Sequence, residues 1–204
     1  MEAFVAGLIA GYGIAIPVGA IAILIVQVGI KCGFRCAFAA GAGAATADFL
    51  YAGLAVIGGA TLAGLVESVG DPLRIASGVV LAVIAVIGLR RSRNLPERPT
   101  EFTYPDRSEI ASTYARFLGL TVINPTTVVY FAAVIIGLGV ASDLTPAAGV
   151  VFVGGAFLAS LSWQTLLAAV GSFARSRLTP STQRLAVILG NLVILGLAVV
   201  ILIP

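Results

Sequence analysis

Asp48 lies in the run Gly41-Ala-Gly-Ala-Ala-Thr-Ala-Asp48-Phe-Leu-Tyr51, inside a long apolar stretch. A carboxylate at the centre of a bilayer costs roughly 3 kcal/mol on insertion scales. No lysine, arginine or histidine lies at comparable depth to pair with it. The acid must then be protonated, hydrated or bound to a passing cation. Each state suits a group that binds or relays charge across a membrane; a structural carboxyl would instead bond Thr46 or a neighbouring helix. Intramembrane acids are functional by default, so Asp48 is the leading candidate, flanked by Thr46 and Tyr51.

Two other places offer polar backbone at depth. Pro17 removes a helix donor and clashes with the preceding turn, and Gly11, Gly13 and Gly19 loosen the same stretch. Freed backbone groups there must be paired by protein or water, and a half-helix N-terminus favours an anion such as a carboxylate. A plain structural kink is the competing reading. Asn124-Pro125 repeats the device with an amide in place, and Thr126 and Thr127 add hydroxyls. Ser160, Ser162, Trp163 and Gln164 cluster further on; Trp163 and Gln164 are candidates to line a cavity, with interface anchoring as the alternative for Trp163.

These residues need a membrane helix bundle to hold them. Charged residues are only 10% of the 204, apolar residues 59%, and the mean hydropathy is +1.09. A soluble domain carries roughly 25% charge, so lipid is the solvent that fits. The first apolar run is too long for a cleaved signal, and Met1-Glu2-Ala3-Phe4 lacks its positive region. Spans of about 20 apolar residues are expected near 3–28, 36–60, 72–89, 116–138, 146–170 and 185–203. Glu67, Asp71 and Pro72 mark the turn between the second and third. The fold expected is an all-α integral membrane protein of six transmembrane helices, one domain over 1–204. Its halves are about 1–90 and 116–204, joined by a polar linker at about 91–115 that holds Pro96, Pro99 and Pro105.

Eleven of the twelve basic residues fall in loops 29–35, 90–116 and 171–184; only Arg74 lies on the other side. By the positive-inside rule these loops are cytoplasmic and both termini lie outside. Gly11 and Pro17 recur as Gly119 and Pro125 at one offset of 108 residues. Three spans per half would make the halves a 3+3 inverted repeat with broken helices, a recurring transporter design. On the second span Gly41, Ala45, Asp48, Ala52, Ala55 and Gly59 form a small-residue stripe that places Asp48 on a packed interior face.

The sequence has no histidine, and Cys32 and Cys36 are its only cysteines. A C-x3-C pair without histidine is poor support for zinc, and in a reducing cytosol the pair reads as reduced spectator thiols. No metal and no cofactor are expected, and no nucleophile–base pair suggests an enzyme. The excess basic charge lies in loops and bears on topology, not on nucleic acid.

In order, Ile16-Pro17-Val18-Gly19, the Lys31–Arg35 turn, the Gly-rich second span with Asp48, Leu89-Arg90-Arg91, and Phe117-Leu118-Gly119 with Asn124-Pro125 resemble the LysE/RhtB family of amino-acid exporters. Members commonly carry Pro-Gly-Pro, Gly-Asp and Asn-Pro-Lys at these places. This chain has Pro17-Val18-Gly19-Ala20, Ala47-Asp48 and Asn124-Pro125-Thr126. Pro17, Asp48, Asn124 and Pro125 are the residues carried over. The resemblance implies a secondary exporter of amino acids or similar small zwitterions in a prokaryotic cytoplasmic membrane. Its partners would be the substrate, a proton or other coupling ion, and lipid, with a homo-oligomer compatible. Two other readings are export of a metal or small cation and a membrane thiol–disulfide electron carrier. The second needs cysteines at depth in different helices, whereas both here sit in one loop.

Overall fold

The computed structural model describes residues 1–16, 19–92, 105–124, 127 and 145–203, without the side chains of 58–71, 73, 74, 77, 91 and 180. The elements are α1 (Glu2–Ala15), α2 (Ala20–Cys32), α3 (Phe34–Ser92), α4 (Arg107–Val122), α5 (Pro146–Arg177) and α6 (Pro180–Leu202), with no strand among the described residues.

Local chemistry sets the ends. Thr145 and Thr179 each accept a backbone N–H three residues on, from Ala148 and Thr182 at 3.3 Å, and each is followed by a proline at the first helical position. Both features favour a helix start. Asp106 caps α4 by accepting the Glu109 N–H at 2.7 Å and the Ser108 hydroxyl at 3.0 Å. These bonds, the Glu109 N–H first, hold its carboxyl below the ordinary 3.8. The helix therefore begins at Arg107, not near 116, and takes the end of the expected linker; the rest of that expected span, Thr127 aside, lies outside the described residues. Gly33 ends α2 at φ +89°, a conformation that favours glycine.

Helix α3 was expected as two spans with a turn at Glu67–Pro72. Helical backbone instead continues over 59 residues, with Pro72 inside. A straight helix of that length would run about 88 Å. Yet Ala44 and Leu81, about 55 Å apart along a straight helix, line one cavity and belong to one core cluster. The axis of α3 therefore reverses, and its two limbs lie side by side. The side chains of Glu67 and Asp71 lie outside the described set.

Close approaches between small residues give the packing directions. A Cβ on Gly11 would come within 2.8 Å of the Ala156 Cα and Ala159 Cβ, and one on Gly29 within 2.8 Å of Gly171. With Gly7 meeting Phe152 and Gly11 meeting Ala156, α1 runs parallel to α5, and α2, turned 78° from α1, meets α5 further along, so the pair follows it in one sense. Gly41 meets Gln164 and Val56 meets Gly149, so the first limb of α3 runs antiparallel to α5. Thr46 meets Tyr114 and Tyr51 meets Val122, which makes α4 parallel to that limb. Gly78 meets Leu202 and Gly88 meets Asn191, so the second limb runs antiparallel to α6. Without bulky side chains the backbones come close enough for dispersion to hold them where no hydrophobic drive exists.

Phe34–Ile57, Pro146–Arg177 and Ser181–Leu202 are long and apolar enough to cross a bilayer, and so is the bent pair α1–α2 when taken as one span. Gly78–Arg90 is a shorter apolar helix. Large apolar side chains such as Val150 and Ile57 point outward and are more than two-thirds exposed. Such an exterior suits lipid, and the protein is an integral membrane protein.

Candidate functional site

The small-residue stripe on α3 is buried where it is described: Gly41, Ala45, Ala52 and Ala55 are all inside. It carries Asp48 into the bundle, leaving its side chain 5% exposed. Ser160 of α5, fully buried, donates its hydroxyl to Asp48 Oδ2 at 2.6 Å. Asp48 and Ser160 both lie on the face where α3 meets α5.

Asp48 opens on a cavity of about 270 Å3. Pockets for drug-sized ligands run roughly 300–1,000 Å3, so this one suits a small metabolite. The end of α1 (Ile14, Ala15) and the start of α2 (Gly19 to Ala22) form one wall. Thr121, Asn124 and Thr127 come from the end of α4 and just beyond it. Gln164 enters from α5, and Leu81, Leu197, Val200 and Ile201 supply apolar surface. Among the described lining residues Asp48 is the one charged side chain.

The two helix interruptions therefore converge. Helix α1 stops at Ala15 and α4 at Val122, close to the 108-residue offset noted in the sequence. Gly19 caps α2 without a side-chain bond. The N–H groups of the first turn of a helix have no partner within it, and here that turn, Ala20 to Ala22, borders the cavity. Opposite charge preferences thus face one space: a carboxyl on α3 and the positive end of the α2 dipole.

Of the candidate residues, Asp48, Gly19, Asn124 and Gln164 line this cavity. The Gln164 Oε1 is buried and has no hydrogen-bond partner among the described residues. Thr46 and Tyr51 work at helix contacts instead. Thr46 donates to the Ala42 carbonyl at 2.8 Å and accepts from Tyr114 at 3.0 Å. The Tyr51 hydroxyl donates to the Val122 carbonyl, one of the last carbonyls of α4. Trp163 is not among the residues lining the cavity, and its Nε1 has no partner among the described residues. Pro17, Pro125 and Thr126 lie outside the described residues.

Thr121 and the Asp48–Ser160 bond are additions from the structure. Ser160 was visible in the sequence as a polar residue in an apolar span; nothing in it named Asp48, 112 residues away, as its partner. A second buried polar contact was missed altogether: Asn191 donates to Gln27 Oε1 at 3.3 Å and to the Val187 carbonyl at 2.7 Å. The signal was two amides in two otherwise apolar spans.

The cysteines also differ from expectation. Cys32 and Cys36 are joined as a disulfide, Cα atoms 5.8 Å apart, where separate reduced thiols were expected.

The family model of the LysE type translocator matches residues 13–204. The chain is 30% identical over 197 residues to the chemotactic transduction protein ChpE of Pseudomonas aeruginosa, covering 96% of this chain and 95% of that one. No solved structure matches significantly.

Proposed function

The chain belongs to the LysE type translocator family, and we propose that it exports amino acids or similar small zwitterions across a cytoplasmic membrane in exchange for protons. The observation that carries the reading is the cavity in which buried Asp48 faces the start of α2, whose N-cap Gly19 makes no side-chain bond. The substrate ammonium would sit on Asp48, or Asp48 would carry the exchanged proton. The substrate carboxylate would take the N–H groups at the start of α2, with Asn124, Thr121 and Gln164 completing the polar lining.

In this reading the chain crosses the membrane six times, with both termini outside, as two inverted halves. The packing directions support it. Elements of odd-numbered spans (α1–α2 and α5) run parallel, and so do those of even-numbered spans (the first limb of α3 and α4). Those two pairs, spans one with five and four with two, are the pairs that a threefold-span repeat would exchange. The helix break in spans one and four at nearly one offset supports it further.

Uptake of labelled amino acids into inverted vesicles, with and without an acid lumen, tests the function. Uptake that depends on the pH gradient is expected; no uptake over a full panel of amino acids would sink the reading. A second reading follows from the name of the Pseudomonas relative: the cavity reports its occupancy to a signalling partner. Saturable binding with no vesicle uptake would favour it.

A further inference from the structure

Three potential metal donors meet at the corner where α2 passes into α3, away from the cavity. Cys32 is the last residue of α2 and Cys36 lies in the first turn of α3, on either side of Gly33. The positive φ of Gly33 makes the corner tight enough to bring the two sulfurs together. The third group comes from elsewhere in the chain. The Asp106 cap fixes the first turn of α4, and Glu109 Oε1 then lies 3.7 Å from Cys32 Sγ. One donor atom from each of Cys32, Cys36 and Glu109 falls within 4.8 Å of the others.

We propose that Cys32, Cys36 and Glu109 form a binding site for a soft divalent cation, Zn2+ by its donor set. Thiolate and carboxylate are both zinc ligands, and three protein donors leave a fourth tetrahedral position for water. That position has access from solvent, because Glu109 is exposed while Cys36 is 1% exposed beneath it. Three negative donors around a divalent ion leave one net negative charge. Lys31 and Arg35, each next to one of the two cysteines in the chain, offset it, as does Arg175, whose guanidinium lies 3.3 Å from the place of a Cβ on Gly33.

The disulfide and the metal are alternative occupants of one place. The disulfide takes two electrons and two protons from a dithiol reductant, which is itself oxidised to a disulfide. Each thiol so formed loses its proton on coordinating the ion. A bound ion would tie the α2–α3 corner to the first turn of α4, a tie that the disulfide within the corner does not make.

The test uses the full chain in detergent, reduced with a phosphine and titrated with Co2+ as a spectroscopic probe. A thiolate-to-cobalt charge-transfer band should saturate at one equivalent and disappear on adding Zn2+. Cys32→Ser and Cys36→Ser should each abolish saturation at one equivalent, and the oxidised protein should bind none. Glu109→Gln, on an exposed side chain that leaves the core untouched, should keep the band and weaken binding at least about tenfold, the loss common even for outer-shell partners. Absence of a saturable band overturns the site. So does a band that survives the cysteine changes, or an affinity unchanged in Glu109→Gln.

Discussion

Ser160 Oγ and Asp48 Oδ2 stand 2.6 Å apart across the contact of α5 with the first limb of α3, the serine fully enclosed and the acid at the cavity wall. One carboxylate oxygen is thus held by the protein, and the group keeps further acceptor sites for a ligand or proton. Asp48→Asn preserves the shape and an acceptor for Ser160 but removes the charge. A charge-assisted bond is worth about 1.5–3 kcal/mol, so vesicle uptake at low substrate should fall about 10- to 100-fold. Unchanged uptake would remove Asp48 from the mechanism.

Ser160→Ala leaves the acid charged and takes away its donor. Loss of one partner of a buried pair costs about 1–3 kcal/mol. If the serine positions Asp48, KM should rise several-fold with less change in the maximal rate, and thermal stability in detergent should fall. A drop in stability alone, with KM unmoved, would make the bond structural only.

The sequence showed the chemistry better than the geometry. Asp48 stood out because an unpaired acid in an apolar run has few explanations, and the breaks stood out because proline removes a helix donor wherever it sits. That Gly19 and Asn124 border the same cavity is a tertiary fact; the 108-residue offset only hinted at it. The start of α4 was misplaced because Arg107 to Arg116 is charged and reads as linker. The local signal, Asp106 with Glu109 three residues on, is the sequence signature of a helix start, and the Asp106 cap on the Glu109 N–H outweighs that polarity. Tyr51 shares a face with Asp48 in the helical pattern, yet its hydroxyl reaches past the cavity to the end of α4. Glu109 could not be joined to the cysteines from spacing at all, since 77 residues separate it from Cys32.

Gly7 and Gly11 set the approach of α1 to α5. A Cβ on Gly11 would meet backbone and the Ala159 methyl at 2.8 Å, neither of which can swing away. Gly11→Val should destabilise the protein by about 1–3 kcal/mol, as overpacking does, read as a lower Tm in detergent. Gly13→Val is the control, because nothing lies within 4 Å of its Cβ position. Equal effects of the two changes would count against the close contact.

Asp106 gives α4 an acid-sensitive start. Its carboxyl is held below the ordinary 3.8 by the Glu109 N–H and then the Ser108 hydroxyl. A group whose value is lower in the folded state stabilises it above the unfolded value and ceases to do so as pH falls through the folded one. Protection of the Glu109 amide against hydrogen exchange should therefore weaken only below about pH 4, after correction for the intrinsic exchange rate. Asp106→Asn keeps a capping oxygen and should flatten that dependence. Identical profiles for the two proteins would mean that the charge contributes nothing.

Orientation can be read with single cysteines in a background where Cys32 and Cys36 are serine. Ser108 and Ala147 are both exposed, the first at the start of α4 and the second at the start of α5. The parallel course of α4 and the first limb of α3, with that limb antiparallel to α5, puts these two starts at opposite ends of the bundle. The basic loops assign the Ser108 end to the cytoplasm. A membrane-impermeant thiol reagent should then label Ala147→Cys in intact cells and Ser108→Cys only in inverted vesicles. The reverse pattern would turn the protein over in the membrane. Labelling of both from one side would break the alternate threading on which six spans and the inverted halves depend.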